Sequence, residues 1–186
     1  MTCTRRFRAF TLVEILCVLV ILGIAAAMIV PQMGSRDDLR AAAAARMVMA
    51  DLIYAQNRAI ATQQKHFVTF DNTSASKGYL LQRATQVSPT LTLVSVQHPI
   101  TKDSTYQVLF GVKNTPLEHV GLGTVSIEGF KTVVFDELGV PSYWDPANPN
   151  QTTPLSTTDG STIQVTSGNF TLTVKVQPYT GEITVD

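Results

Sequence analysis

Cysteine is scarce, which limits the ways this fold can be stabilised. Of the 186 residues only Cys3 and Cys17 are cysteines. Both lie near the N-terminus, so no disulfide can cross-link the rest of the chain and no thiolate metal cluster can form there. We expect Cys17, which lies within an apolar run, to be a small packing residue.

Side chains that carry catalysis are also sparse. The three histidines, His66, His98 and His119, are isolated and show neither H-x-x-x-H nor His–carboxylate spacing. The chain has no P-loop and no nucleophile elbow, and residues 121–123 (Gly-Leu-Gly) lack the third glycine of a dinucleotide fingerprint. The sequence therefore predicts a protein that is not an enzyme and has no metal site.

Positive charge is depleted in the second half of the chain. Lys plus Arg and Asp plus Glu each number 14 overall, but residues 102–186 contain four lysines, no arginine and nine acids. Phosphate binding needs clustered Lys and Arg, so this acidic balance predicts that nucleic acid is not a partner.

A long apolar run follows the basic leader. Residues 10–30 carry a single charge, Glu14, and follow Arg5, Arg6 and Arg8. A helix of this length reaches roughly 31 Å, about one hydrocarbon core. We expect it to be a single-pass inner-membrane span, with the basic leader in the cytoplasm and the remaining chain in the periplasm.

Glu14 is the informative residue of this run. An ionised carboxylate inside hydrocarbon costs on the order of 2–3 kcal/mol, so a neutralising cation is expected. A chain cut between Ala9 and Phe10 would create an amine one helical turn from Glu14, in the same chain or a neighbour. A charge pair of this kind would favour one axial register between packed helices.

Residues 9–14, Ala-Phe-Thr-Leu-Val-Glu, resemble the class III signal of type IV pilins and type II secretion pseudopilins. The resemblance implies that a prepilin peptidase cuts between Ala9 and Phe10 and that Phe10 is then N-methylated. It also implies that Glu14 aligns subunits in a helical filament. The family usually has Gly before the cut, and Ala9 is its smallest replacement.

Three other interpretations of the N-terminus remain open. A secretory signal cleaved after Ala27 would release a soluble exported β-rich binding domain. The apolar run could instead be an uncleaved anchor, and Arg5 with Arg6 could belong to a twin-arginine signal.

The region after the apolar run predicts a helix break and then a second helix. Pro31 and Gly34 disfavour helix over residues 31–34, and an amphipathic helix is predicted over residues 35–64. Its predicted apolar stripe comprises Met49, Leu52, Ile53, Gln56, Ala59 and Ile60. We expect this stripe to pack on a sheet and the alanine-rich residues 39–45 to pack against neighbouring subunits' stems.

The remaining residues, 65–186, have the period-two pattern of strands and turn residues between them. The predicted strands cover residues 67–70, 79–83, 91–97, 106–112, 124–128, 132–136, 162–166, 170–177 and 182–185. One long helix, part transmembrane and part amphipathic, followed by antiparallel strands predicts an α+β fold with a pilin-like lollipop shape. The leader would then be residues 1–9.

Within the β-rich part the resemblance narrows to H-type minor pseudopilins and the related minor pilins of competence systems. The turn at residues 135–139, with Phe135 and Gly139, and the closing strand–Gly181–strand are similar to features of that family. The implied function is that of a minor pseudopilin of a type II secretion system, assembled into the pseudopilus with other pseudopilins. The alternative is a minor pilin of a type IV pilus or a competence DNA-uptake system.

Residues 143–154 are rich in proline and are expected to form a variable loop without its own core. Exposed Trp144 in this loop is a candidate contact for a partner protein. Asp145, Asn148 and Asn150 have the spacing of a short oxygen-rich loop and are a weak candidate for Ca²⁺, since the closing Glu of an EF-hand is missing.

Overall fold

A computed structural model describes residues 10–29, 36–73, 77–87, 90–156 and 161–186. The chain divides into two compact units, Met1–Arg36 and Asp37–Asp186. The predicted break at Pro31 and Gly34 lies outside the described residues.

The described residues form two helices and eleven strands. The elements are α1 (Leu12–Ile29), α2 (Asp37–Thr62), β1 (His66–Asp71), β2 (Gly78–Val87), β3 (Thr90–Ser95), β4 (Tyr106–Leu109), β5 (Val120–Ile127), β6 (Thr132–Phe135), β7 (Pro141–Trp144), β8 (Thr152–Pro154), β9 (Ser161–Ser167), β10 (Phe170–Val176) and β11 (Ile183–Val185).

The strands build two antiparallel sheets. The larger sheet has the order β3-β2-β1-β6-β7-β8, and β4 also pairs with β2. The smaller sheet has the order β11-β10-β9-β5. Helix α2 contacts β1 and β6 of the larger sheet and β5, β9, β10 and β11 of the smaller one. The predicted α+β class, with a helix and antiparallel β-sheets, is confirmed.

The face of α2 that meets the sheets is built mostly from alanine. Its fully buried residues recur at spacings of three and four, as one helical face requires: Ala41, Ala44, Ala45, Val48, Leu52, Ala55 and Ala59. The large core side chains come from the strands and their flanking loops, among them Phe70, Phe110 and Phe135. Small helix residues therefore face large sheet residues, which lets the helix approach both sheets closely.

The predicted stripe on α2 was correct for Leu52 and Ala59 but wrong in its rotation. Ile53 is 37% exposed and Ile60 is 44% exposed. The expectation for the alanine-rich segment was also wrong, because Ala44 and Ala45 pack in this domain's own core. The physical reason is size: the sheets fill the space with aromatic rings, so the helix turns its smallest residues inward.

Two glycine turns meet on α2 at Gln56. Its Nε2 donates hydrogen bonds to the Gly139 carbonyl (3.0 Å) and the Thr180 carbonyl (3.4 Å). Gly139 and Gly181 have positive φ values of 82° and 67°, and a Cβ on Gly181 would lie 2.3 Å from Gln56 Nε2. The positive φ values favour glycine at both positions, and a Cβ on Gly181 would displace the Gln56 amide from its hydrogen bonds.

The expectation that residues 143–154 form a loop without a core was wrong. This segment contains the end of β7 and all of β8, which pair with each other. Trp144 packs edge-on against Phe67, with ring centroids 5.9 Å apart, beside Ala84 and Val134. The segment therefore contributes to a second, smaller hydrophobic cluster of the domain.

Several strand boundaries also differ from the prediction: β2, for example, ends at Val87 rather than at residue 83. Strand β5 begins at Val120, four residues earlier than expected, because Gly121 and Gly123 lie within it despite the low strand propensity of glycine. Strand β4 ends at Leu109, and the next residue, Phe110, donates its N–H to the Lys77 carbonyl at 2.8 Å.

We predict that Leu52→Ala lowers the free energy of unfolding by about 2–5 kcal/mol, because it leaves a cavity between α2 and the sheets. The matched control is Ile53→Ala on the adjacent, outward position, which should cost less than about 1 kcal/mol. Urea unfolding followed by circular dichroism measures both. Equal losses in the two variants would contradict the rotation of α2 described above.

Candidate functional site

Two of the processing and register residues predicted from the sequence, Phe10 and Glu14, lie in the described part of the first unit. Phe10 is the first described residue and is 75% exposed, whereas Ala9 lies outside the described residues. Glu14 is in the first turn of α1. Phe10 thus lies two residues before a helix whose first turn carries its single acid, Glu14.

Thr11 and Glu14 form the start of α1 together. The Thr11 hydroxyl accepts a hydrogen bond from the Glu14 backbone N–H at 3.2 Å, and the Thr11 carbonyl accepts from the Ile15 N–H at 3.2 Å. This places Thr11 at the N-cap and Glu14 three residues later, the arrangement of a capping box. A carboxylate there also interacts favourably with the positive end of the helix dipole.

Every residue from Phe10 to Ala27 is exposed. Leu12 is 83% exposed, Leu19 64% and Ile24 57%, so apolar side chains project on all sides of α1. A helix that is apolar all round is normally covered by other molecules.

Across the described residues, no helix has both the length and the apolar character that a membrane span requires.

A second candidate site lies in the second unit, around Asp51 on α2. Tyr79 donates its hydroxyl to Asp51 Oδ2 at 2.5 Å, and Tyr106 donates to Oδ1 at 2.8 Å. Both tyrosines are 3% exposed. One carboxylate on the helix is therefore held by hydroxyls from two different strands, β2 and β4.

His98 completes this cluster beyond the end of β3. Its ring lies against Tyr106 with centroids 4.3 Å apart. Its Nδ1 accepts the N–H groups of Ile100 and Thr101, each at 3.2 Å. In the neutral ring the proton is therefore on Nε2.

The carboxylate and His98 border an open cavity of about 520 Å³. Its apolar lining includes Met47, Ile100, Val108, Leu109, Val112 and Leu117. We call this cavity the Asp51 pocket. Its size falls within the range of small-molecule sites, and its walls are apolar apart from a few polar groups.

Burial changes the proton affinities of this cluster. Desolvation raises the pKa of Asp51, and the hydrogen bonds from Tyr79 and Tyr106 oppose that rise without cancelling it. Desolvation and the neighbouring carboxylate raise the pKa of both tyrosines well above the ordinary value. The hydroxyls thus remain protonated donors throughout the physiological range.

Trp144 is not in an exposed loop, as the sequence suggested, but at the end of β7. It is half-buried, and its Nε1 donates to the Pro149 carbonyl at 3.0 Å. A partner contact by Trp144 stays a prediction.

The candidate calcium residues also have partners within the protein. Asp145 accepts from the Ala147 N–H and from Asn148 Nδ2, both at 2.8 Å, and Asn150 accepts from the Leu91 N–H at 3.0 Å. Within the residues that the structure describes, no three His, Cys, Asp or Glu side chains are grouped as a metal site would need. Calcium binding here stays a prediction.

The histidines that looked isolated in the sequence have different environments. His66 is fully buried, its Nδ1 lies 2.9 Å from the Gln64 carbonyl, and desolvation lowers its pKa. His119 is exposed, and His98 belongs to the Asp51 cluster. Sequence spacing missed that cluster because Tyr79 and Tyr106 are 28 and 55 residues from Asp51. The one signal in the sequence that could have indicated this cluster was Asp51 itself, an acidic residue in the helix that packs against the sheets.

The raised pKa of Asp51 predicts a pH dependence of stability. The folded protein holds this proton more tightly than the unfolded chain, so the contribution of Asp51 is greatest below the unfolded pKa, near 3.8, and is lost as pH rises through the folded pKa. The free energy of unfolding of the wild type, minus that of Asp51→Asn, should therefore increase as pH falls from 7 toward 4. Urea unfolding at several pH values measures this difference. A difference that stays constant, or falls with acidification, would contradict the prediction.

Comparison with known proteins identifies the N-terminal segment. The prokaryotic N-terminal methylation motif matches residues 4–30, which include Phe10 and Glu14. No curated protein and no solved structure matches the chain significantly. The motif supports a type IV pilin-like protein, a class of structural subunits that assemble with other pilins after processing by prepilin peptidase. The first part of this chain is therefore a type IV pilin-like prepilin signal.

Proposed function

We propose that the protein is a structural, non-enzymatic minor pseudopilin of a type II secretion system. Prepilin peptidase cuts between Ala9 and Phe10, and Phe10 is then N-methylated. The subunit is held in the inner membrane by its apolar N-terminal segment, with its C-terminal domain in the periplasm, until it enters the pseudopilus.

The observation that carries the proposal is the combination at the start of α1. An acid in the first turn of an otherwise apolar helix, four residues after Phe10, lies within the matched methylation motif. A new amine at Phe10 would place a positive charge about one helical turn from the Glu14 carboxylate. In a bundle of such helices this pair would set the axial position of each subunit.

The outward face of α2 supports assembly with other subunits. Leu39 is 64% exposed, Met47 39%, Ile53 37% and Ile60 44%. Leu39 and Ile53 lie on the side of the helix turned away from the sheets, and Met47 and Ile60 lie on its two flanks. Exposed apolar surface of this kind is typical of interaction sites. In the proposed filament, this face packs against neighbouring subunits.

One further observation favours the pseudopilin over a DNA-uptake pilin. Residues 102–186 carry nine acids against four lysines, which is unfavourable for phosphate contact.

We predict that the mature protein begins with N-methylated phenylalanine. The reason is that the prepilin peptidase would cut before Phe10 and free its amine for methylation. Intact-mass measurement and N-terminal sequencing of protein extracted from membranes test this, and Ala9→Arg should block the cut as a control. A mature protein beginning at Met28 would instead indicate an ordinary secretory signal and would overturn the proposal.

We also predict that Glu14→Gln abolishes incorporation into filaments while the protein stays in the membrane. Glutamine is compatible with the capping box at Thr11, so the variant removes the charge and keeps the helix start. Val13→Ala, on the adjacent residue, is the matched control and should assemble normally. Cross-linking of sheared filaments measures incorporation, and exoprotein secretion measures function.

Normal filament incorporation of Glu14→Gln would contradict the register role of the charge. Intact secretion together with lost piliation or transformation would assign the protein to a type IV pilus or DNA-uptake system instead.

A further inference from the structure

We propose that the Asp51 pocket binds a small organic cation, namely an ammonium group carried on an apolar body. This inference concerns the second unit alone and does not rest on the proposed filament function.

The first argument is the placement of a fixed carboxylate within apolar walls. Asp51 borders the cavity together with Met47, Val108 and Leu117. The hydroxyls of Tyr79 and Tyr106 hold its two oxygens, one each, so the carboxylate is oriented before any ligand arrives. A ligand therefore meets a pre-organised acceptor, which lowers the entropy cost of binding.

The second argument is that the hydroxyls do not cancel the charge. A carboxylate offers about four acceptor positions, and the two tyrosines occupy only two of them. Tyrosine hydroxyls are neutral, and in the described ranges neither ion pair, Arg40–Asp37 or Lys175–Asp186, involves Asp51. A protonated His98 would be the pocket's own cation, but its attraction is the smallest of the influences on the pKa of Asp51, so ionised Asp51 retains acceptor capacity for a cationic ligand.

The third argument selects the ligand. Desolvation disfavours the ionised form of Asp51, and a bound cation would relieve this cost. An anion would be repelled, and a purely apolar ligand would leave the carboxylate without a charged partner. The volume of about 520 Å³ exceeds what an ammonium ion needs, so the apolar walls call for a hydrophobic body attached to it.

The test is isothermal titration calorimetry of the full chain in phosphatidylcholine nanodiscs at pH 7, with empty nanodiscs as blank. The probes are phenethylammonium, its neutral analogue 2-phenylethanol and the anion 3-phenylpropanoate. Phenethylammonium should bind saturably and at least about tenfold more tightly than the alcohol, since hydrogen bonds to charged groups are the stronger ones. The anion should give no saturable heat.

Variants assign the binding to the pocket. Asp51→Asn should weaken binding of phenethylammonium by at least about tenfold and remove its advantage over the alcohol. Asp38→Asn makes the same substitution at an exposed position of α2 and should leave binding unchanged. Val112→Trp adds bulk to the pocket lining without touching the carboxylate and should abolish binding of both probes.

Circular dichroism melting confirms that each variant is folded. If Asp51→Asn does not fold, the result for Val112→Trp decides whether the ligand binds in the Asp51 pocket. The proposal is overturned if phenethylammonium does not saturate, if it binds no better than the alcohol, or if the folded pocket variants bind it as the wild type does.

Discussion

The contact between the small-residue face of α2 and the two sheets is the constraint on which the domain depends. Five alanines on that face leave room for aromatic side chains from the strands, and larger helix residues would overpack the interface. Asp51 and Gln56, five residues apart, lie about 140° apart around the helix, on the two sides of this face. Asp51 binds two tyrosines and Gln56 binds two turns, so polar contacts on both flanks fix the rotation of the helix.

The sequence predicted the elements better than their orientation. β-branched and aromatic runs separated by turn residues located nine strands, because alternation and propensity are local properties. The predicted rotation of α2 was wrong because the search for an apolar stripe counts isoleucine as more hydrophobic than alanine. Burial on α2 instead follows residue size, since small helix residues fit against large side chains from strands distant in the chain. Strands β7 and β8 were missed for a related reason. The proline and asparagine residues of 143–154 are typical of a loop, whereas in the folded domain the segment pairs as strands and packs against Phe67.

The two candidate sites also differ in how far the sequence could predict them. The N-terminal signal is a contiguous motif, so it could be recognised from sequence alone. The Asp51 cluster joins a helix, two strands and a loop, and nothing in the spacing of Asp51, Tyr79, Tyr106 and His98 indicates that they meet. Pairing of β2 with β4, in which Leu81 lies opposite Tyr106, brings the two tyrosines to the same carboxylate. The Asp51 cluster therefore forms only when β2 and β4 pair in this register.

Glu14 has a local role as well as a proposed intersubunit one. The bond from its N–H to the Thr11 hydroxyl and its place in the first turn already favour an acid there through capping and the helix dipole. Capping alone, however, is satisfied by glutamine as well as glutamate, and a neutral side chain would be far less costly within an apolar helix. The helix dipole offsets only part of this cost, and in the proposed mature subunit an amine freed at Phe10 would add a cation about one helical turn from Glu14.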